Sequence, residues 1–123
     1  MTVALGRRAS DVRVIALISL AHGSSHFFHL VLPPMFPWLR DAFALSYAEL
    51  GLLMSIFFVV SCVVQASSGF LVDHIGARPV LFAGVGLLAL AAITYSQSQG
   101  YWMLIAGAVI AGCGNGVFHP VDY

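Results

Sequence analysis

The chain has 123 residues and a formal net charge of zero, with 60% hydrophobic and only 8% charged residues. Soluble domains ordinarily carry about 25% charged residues, so this composition excludes a soluble monomer. The few charged residues are gathered into short clusters, and long uncharged stretches separate those clusters. We expect the lipid bilayer as a partner, and we expect no nucleic-acid partner.

Four apolar stretches are long enough, or nearly so, to cross a bilayer as helices. A spanning helix needs about 20 mainly apolar residues, because each residue rises about 1.5 Å through roughly 30 Å of hydrocarbon. The stretches are continuous and lack the alternation of a barrel strand, which predicts an all-α integral membrane protein. We expect one membrane domain over residues 1–123, with spans at about 14–39, 47–72, 79–96 and 101–118.

The distribution of basic residues predicts a cytoplasmic amino terminus, and we expect a multi-pass protein of the inner cell membrane. Basic residues in short loops tend to stay in the cytoplasm. The leading segment holds three arginines, and the second connection holds Arg78 and His74. A cleaved secretory signal is the alternative for the first stretch, but that stretch exceeds the usual length of roughly 7 to 15 apolar residues. Cys62 and Cys113 both fall inside predicted spans, so we expect no disulfide or zinc framework.

The first predicted span carries three histidines on one face. His22, His26 and His29 fall within an arc of about 60° at 3.6 residues per turn. Ionisable groups inside a membrane are costly, so this face must meet a cavity or polar neighbours. A metal site is one interpretation, although the helix offers no glutamate in a His-Glu-x-x-His arrangement. A second interpretation is that the histidines are neutral and form hydrogen bonds with neighbouring helices. A third is that they line a cavity for substrate binding or proton exchange.

The first span is expected to end in the proline-rich segment 32–38, where proline removes backbone donors and bends the helix. Beyond it, Ser46 followed three residues later by Glu49 is typical of a capping box and predicts the start of the second helix.

Six residues of the second span recur at steps of four and three, and so share one face. These residues are Gly51, Ser55, Phe58, Cys62, Gln65 and Gly69. We expect this stripe to face protein or water, either as packing surface or as the lining of a substrate path. Gln65 is costly in hydrocarbon and is expected to have a polar partner.

Residues 69–81 join the second and third spans and read Gly-Phe-Leu-Val-Asp-His-Ile-Gly-Ala-Arg-Pro-Val-Leu. This segment resembles the signature loop of the major facilitator superfamily, Gly-x-Leu-Ala-Asp-Arg-x-Gly-Arg-Lys-x-x-Leu. The matching residues are Gly69, Leu71, Asp73, Gly76, Arg78 and Leu81. Two basic positions of the family are lost at His74 and Ala77, so we expect a weaker charge network in this loop.

The signature loop also has a direct physical interpretation. We expect the short loop to turn on Gly76, and we expect Gly69 to let another helix come close. Asp73 lies at a helix end, where pairing with a neighbouring helix can lock one conformation. Any tight two-helix turn could carry Asp, Gly and Arg, but the spacing, the side of the membrane and the position in the chain all agree with the family.

The fourth span contains small residues four apart, Gly107 with Ala111 and Gly112 with Gly116. This pattern is typical of closely packed membrane helices. Asn115 is the one residue of this run with a candidate role beyond packing. A nucleotide-binding loop is discarded, because no strand precedes the glycines and no lysine follows them.

Two further segments are similar to the fosmidomycin-resistance branch of the superfamily. They are Ala21-His22 with the prolines of 32–38, and the run 116–120, which contains His119 and Pro120. The resemblance implies a twelve-span, proton-coupled efflux carrier whose two six-span halves rock about a central cavity. Four spans would correspond to the first part of the amino-terminal half. We therefore expect a fragment that works with the remainder of a carrier, or a chain that self-associates.

The resemblance implies that the chain comes from a non-enzymatic secondary transporter that exports a small molecule, such as a drug or metabolite, in exchange for protons. No cofactor or metal is expected. The residues assigned to the substrate or proton pathway are His22, His26, His29, Gln65 and Asn115. The residues assigned to conformational switching are Gly69, Leu71, Asp73, Gly76 and Arg78. One rival hypothesis is a small membrane protein that acts by helix–helix association, and another is a metalloenzyme that uses the histidines.

Overall fold

A computed structural model describes residues 2–118, with side chains from residue 11 onward. Four helices follow one another along the chain: α1 Thr2–Phe43, α2 Tyr47–Ile75, α3 Ala77–Ser96 and α4 Tyr101–Asn115. Three of them are long and apolar enough to cross a membrane, and α4 is a shorter apolar helix. The predicted all-α membrane fold is confirmed, and the described residues contain no strand.

The first helix is longer than the predicted span and does not end in the proline-rich segment. Pro33, Pro34 and Pro37 all lie inside α1, which continues to Phe43. The expectation that the helix ends there was wrong. A membrane helix tolerates proline because neighbouring groups can satisfy the carbonyls that the missing N–H leaves unpaired.

The predicted capping box at the start of α2 is confirmed. The Glu49 amide donates to Ser46 Oγ at 3.2 Å, and the Ser46 amide donates to Glu49 Oε2 at 2.8 Å. Each side chain thus satisfies a backbone donor that the first helical turn leaves without a partner.

A single residue, Gly76, connects α2 to α3. Its φ of 87° lies in a region that side-chain-bearing residues rarely adopt, so glycine is required by the backbone path itself. The turn therefore falls at the glycine of the signature loop.

Helices α2 and α4 approach each other closely through the glycines of α4. A methyl group built on Gly112 would lie 2.7 Å from the Phe57 carbonyl oxygen, and one on Gly116 would lie 2.6 Å from the Ser61 carbonyl oxygen. Both separations are far shorter than ordinary van der Waals contact. The predicted packing role of these two glycines is confirmed.

Helices α3 and α4 pack against each other in the same manner. A methyl group on Gly114 would lie 2.9 Å from the Gly84 carbonyl oxygen, and one on Gly107 would lie 2.5 Å from the Tyr95 ring. Helix α4 therefore lies against both α2 and α3, and these three helices form the tightly packed part of the molecule. We call α2, α3 and α4 the packed trio.

The face of α2 that meets the other helices differs from the predicted stripe. The buried residues of α2 are Leu50, Leu53, Phe57, Ser61 and Ser68. The predicted stripe is exposed on the described bundle, except for the half-buried Gly69. The glycines near the end of α4 dock on the neighbouring face of α2, and of the stripe only Phe58 has a ring contact with another described helix, the His29 ring of α1.

Helix α1 is attached to the packed trio far less extensively than the three helices are to one another. From Asp11 onward, the buried residues of α1 are Ser25 and Leu32. Most of its surface is exposed, so a few side chains determine where it lies against the trio.

Candidate functional site

The three predicted histidines of α1 lie next to one another on the helix. His22 Nε2 and His26 Nε2 are 2.8 Å apart, a hydrogen bond in which one ring donates and the other accepts. The rings of His26 and His29 meet edge to face, with centroids 5.3 Å apart. The three imidazoles thus form a continuous polar strip along one face of an otherwise apolar helix.

The strip continues from α1 into the packed trio through Asn115. His29 Nε2 donates to Asn115 Oδ1 at 2.8 Å, since a carbonyl oxygen can only accept. Asn115 Nδ2 then donates to Ser61 Oγ on α2 at 2.6 Å. Only 5% of Asn115 is exposed. Two hydrogen bonds therefore join α1, α4 and α2 at one buried amide, and we call His22, His26, His29, Asn115 and Ser61 the polar chain.

Aromatic rings enclose the inner end of the polar chain. The His29 ring packs edge to face against Phe57 at 5.2 Å and against Phe58 at 5.6 Å between centroids. Phe57 is buried. Hydrogen bonds in such apolar surroundings are stronger than in water, and an unpaired polar group there is costly. The position of His29 is thus restricted by the two phenylalanine rings and by its hydrogen bond to Asn115.

Gln65 is the one predicted pathway residue that the structure does not bring to the polar chain. It is exposed on α2, and its side chain has no hydrogen bond with the residues that the structure describes. The expected polar partner is therefore not found within residues 11–118.

The residues of the signature loop lie around the turn between α2 and α3. Asp73 and Arg78 are exposed, and neither forms an ion pair within the described part of the chain. Leu71 and Gly76 are exposed as well. The expected close approach at Gly69 is absent, because no described atom lies within 4 Å of a methyl group built there.

The two remaining predicted residues, His119 and Pro120, lie outside the described residues. Among the residues that are described, no three His, Cys, Asp or Glu side chains are arranged to hold a metal ion.

Two contributors to the site, Ser61 and Phe57, are absent from the residues predicted from sequence. Ser61 follows a strongly apolar run, and a lone hydroxyl there is a signal for an interhelical hydrogen bond. Phe57 carries no such signal, because an aromatic residue in a membrane span is as suited to lipid as to protein.

The sequence profile of the Major Facilitator Superfamily matches residues 18–121 of this chain, which is most of its length. The chain belongs to the major facilitator superfamily. The family predicted from the signature loop is thus confirmed, and the four helices are those of a transporter family. No solved structure shows a significant similarity to the chain.

Several curated members of the superfamily are similar to this chain. An arabinose-proton symporter of Bacillus subtilis is 31% identical over 114 residues, which cover 89% of this chain and 25% of the symporter. An uncharacterized MFS-type transporter, YfnC, of the same organism is 27% identical over 110 residues, covering 87% of this chain and 26% of YfnC.

A fosmidomycin resistance protein of Escherichia coli is also similar, with 22% identity over 107 residues that cover 87% of this chain and 26% of that protein. The predicted likeness to the fosmidomycin-resistance branch is thus found among the relatives. The chain spans about a quarter of the length of the curated relatives it matches.

Proposed function

We propose that this chain is part of a proton-coupled secondary transporter that exports a small molecule, with protons moving in the opposite direction. Membership of the superfamily supports transport across a membrane. One relative is named an arabinose-proton symporter and another a fosmidomycin resistance protein. The first name supports coupling to protons, and the second supports export.

The observation that carries the proposal is the polar chain inside helices that are otherwise apolar. Imidazole changes its charge between about pH 5 and 8, which suits a group that takes up and releases a proton during each transport cycle. Ionisable side chains within a membrane span are costly and mark ion or substrate pathways. The hydrogen bond of 2.8 Å between His22 and His26 offers a path for a proton between two rings.

The three histidines and Asn115 of the polar chain each receive a role in this proposal. His22 takes up the proton, His26 exchanges it with His22, and His29 with Asn115 lines the inner part of the pathway. Gln65, exposed on α2, lines the same pathway at another level. The signature loop, through Gly69, Leu71, Asp73, Gly76 and Arg78, sets the balance between the inward-open and outward-open conformations. His119 and Pro120 belong to the same proposed region by their likeness to the family.

The proposed membrane orientation has the amino terminus in the cytoplasm of a bacterial-type inner membrane. It depends on the arginines of the leading segment and on Arg78 in the connection between α2 and α3. The remainder of a carrier, or further copies of this chain, would complete the central cavity.

The experiment that tests the proposal measures substrate-dependent proton movement in membrane vesicles that contain the complete carrier, of which this chain would be a part. Arabinose and fosmidomycin are the first substrates to test, and a pH-sensitive dye inside the vesicles reports the protons. We expect His22→Ala to abolish proton-coupled export and His26→Ala to weaken it. We expect His74→Ala to transport at nearly the rate of the unmodified protein, because His74 is exposed at the end of α2 and donates to the Phe70 carbonyl.

The opposite pattern, normal pH-dependent export by His22→Ala and loss in His74→Ala, would show that the proton pathway is assigned to the wrong residues. Substrate exchange without any proton movement would argue for a transporter that is not coupled to protons.

A further inference from the structure

The hydrogen bonds around Asn115 define the orientation of its amide. Nδ2 donates to Ser61 Oγ at 2.6 Å, and this contact turns Oδ1 toward α1. His29 Nε2 lies 2.8 Å from Oδ1 and therefore carries a hydrogen. The tautomer of a metal-free histidine in a protein is set by such hydrogen bonds. The two contacts of the amide thus select one form of the neutral imidazole.

Asn115 is held on the most closely packed surface of the molecule. Gly112 precedes it in α4 and Gly116 follows it directly after the helix, and a methyl group on either would lie within 2.7 Å of a backbone oxygen of α2. The Ser68 hydroxyl adds a buried hydrogen bond of 3.2 Å to the Gly116 carbonyl. The backbone that carries Asn115 has little room to move relative to α2.

Helix α1 differs, because few of its side chains are buried against the packed trio. Of the hydrogen bonds between described side chains, the one from His29 to Asn115 links α1 to α4 at a partly buried position. The amide is therefore the fixed partner, and the imidazole is the partner whose position depends on it.

We infer that Asn115 is a positioning residue: it anchors the His29 ring on the α2–α4 pair and keeps the neutral ring protonated on Nε2. Asn115 acts through His29 in this role and need not touch the transported molecule. The inference deepens the proposed function, since it explains how one histidine of the pathway is held. The tautomer and the anchoring can nevertheless be measured without any transport.

The test uses the protein in lipid nanodiscs with ¹⁵N-labelled histidine. The nitrogen chemical shifts identify which ring nitrogen of His29 is protonated, and water exchange measures how well that hydrogen is protected. His29→Gln, which removes one set of signals, supplies the assignment. We expect the unmodified protein to show a protected hydrogen on Nε2 of His29.

Asn115→Leu removes both hydrogen bonds while keeping a side chain of similar size. We expect the Nε2 hydrogen of His29 to exchange about fivefold faster, since an interhelical hydrogen bond of about 1 kcal/mol is lost. Asn115→Asp keeps an acceptor oxygen in the same place and should retain the protected hydrogen. Equal protection in the unmodified protein and Asn115→Leu would overturn the inference. A wild-type His29 protonated on Nδ1 alone, with Nε2 accepting, would overturn it as well.

Ser61→Ala tests the same arrangement if Asn115→Leu does not fold. Removal of the Ser61 hydroxyl frees the amide to rotate, so we expect faster exchange at His29 than in the unmodified protein. Ser67→Ala is the matched control on the same helix, because Ser67 is exposed and its hydroxyl donates only to the Val63 and Val64 carbonyls. Equal exchange rates in the two serine variants would count against an amide held by Ser61.

Transport by the same variants separates the two proposals. Loss of protection in Asn115→Leu together with normal proton-coupled transport would support the positioning of His29 and contradict its place in the proton pathway. Normal proton coupling in His22→Ala would contradict the proposed function and leave the result at Asn115 unchanged.

Discussion

Two parts of this membrane protein are held together in different ways. In the packed trio, the backbones of α2, α3 and α4 come so close that a methyl group on Gly112 would collide with the Phe57 carbonyl oxygen at 2.7 Å. From Asp11 onward, α1 has no comparable glycine contact, since a methyl group on Gly23 would meet nothing within 4 Å. Its link to the trio runs instead through side chains such as His29 and Leu32.

The difference follows from the membrane as a solvent. Lipid tails are as apolar as leucine, so membrane helices associate through close van der Waals packing and hydrogen bonds rather than by escape from water. The packed trio is held mainly by close van der Waals packing, whereas α1 relies more on hydrogen bonds. The helix with the fewest packing contacts also carries the three histidines. A change at those histidines can therefore alter the position of α1 without loss of the packed trio.

The largest effect on stability is expected from a bulky residue at the tightest helix contact. Gly112→Val must push α4 away from α2, because the nearest obstacles are the Phe57 carbonyl oxygen and Val60 Cβ. We expect a loss of about 3 kcal/mol, at the upper end of ordinary overpacking. Thermal unfolding in detergent micelles measures this loss of stability. Gly86→Val is the control, since Gly86 has open space around it, and equal unfolding temperatures for the two variants would contradict the description of the trio.

A smaller loss is expected where the trio depends on one backbone conformation. Gly76→Ala places a side chain on a residue with φ of 87°, so we expect the free energy of unfolding to fall by about 2 kcal/mol. This loss comes from backbone strain alone, because no other described atom lies within 4 Å of the added methyl group. Gly100→Ala is the matched control in the other short connection, because its φ of 176° is ordinary extended backbone. Similar unfolding temperatures for both alanine variants would show that the turn can change its conformation freely.

The elements of this fold were largely predictable from sequence, because their signals are local. The capping pair Ser46 and Glu49 and the single glycine at position 76 depend on neighbours within a few residues. The common face of the α1 histidines follows from helical periodicity alone. The continuation of α1 through Pro37 was not predictable in this way, since it depends on what surrounds the helix.

The orientation of α2 shows where sequence reasoning ends. On this helix, two sets of residues recur at steps of three and four, and each set therefore forms one face. One face contains Gly51 and Cys62, and the other contains Phe57 and Ser61. Both contain apolar and small residues, and in a bilayer either face can be turned to lipid at little cost. The choice is made by the shape of α4, whose glycines accept the Phe57 and Ser61 side of α2. The contact of Asn115 with Ser61 depends on that choice and could not be read from either helix alone.

The attachment of α1 can be tested by a change at its inner histidine. His29→Leu removes the hydrogen bond to Asn115 and keeps an apolar side chain against Phe57, so we expect a loss of about 1 kcal/mol. His26→Leu is the control, because the contacts of the exposed His26 ring are with the other histidines of α1. Thermal unfolding in micelles should separate the two variants by a small but measurable difference. A greater loss in His26→Leu would show that α1 is attached at another level.

The smallest effect on stability, with a large effect on transport, is expected at the signature loop. Asp73 is exposed in the last turn of α2, so Asp73→Asn should change the unfolding free energy by less than about 0.5 kcal/mol. In the proposed transporter, however, the two conformations differ by only a few kcal/mol. A change of about 1.4 kcal/mol in that balance alters the ratio of conformations tenfold, so we expect transport to fall about tenfold with normal membrane insertion. Asp41→Asn near the end of α1 is the matched control, since Asp41 is also an exposed acidic residue and lies outside the signature loop. If Asp73→Asn and Asp41→Asn both transported at the rate of the unmodified protein, Asp73 would have no part in switching.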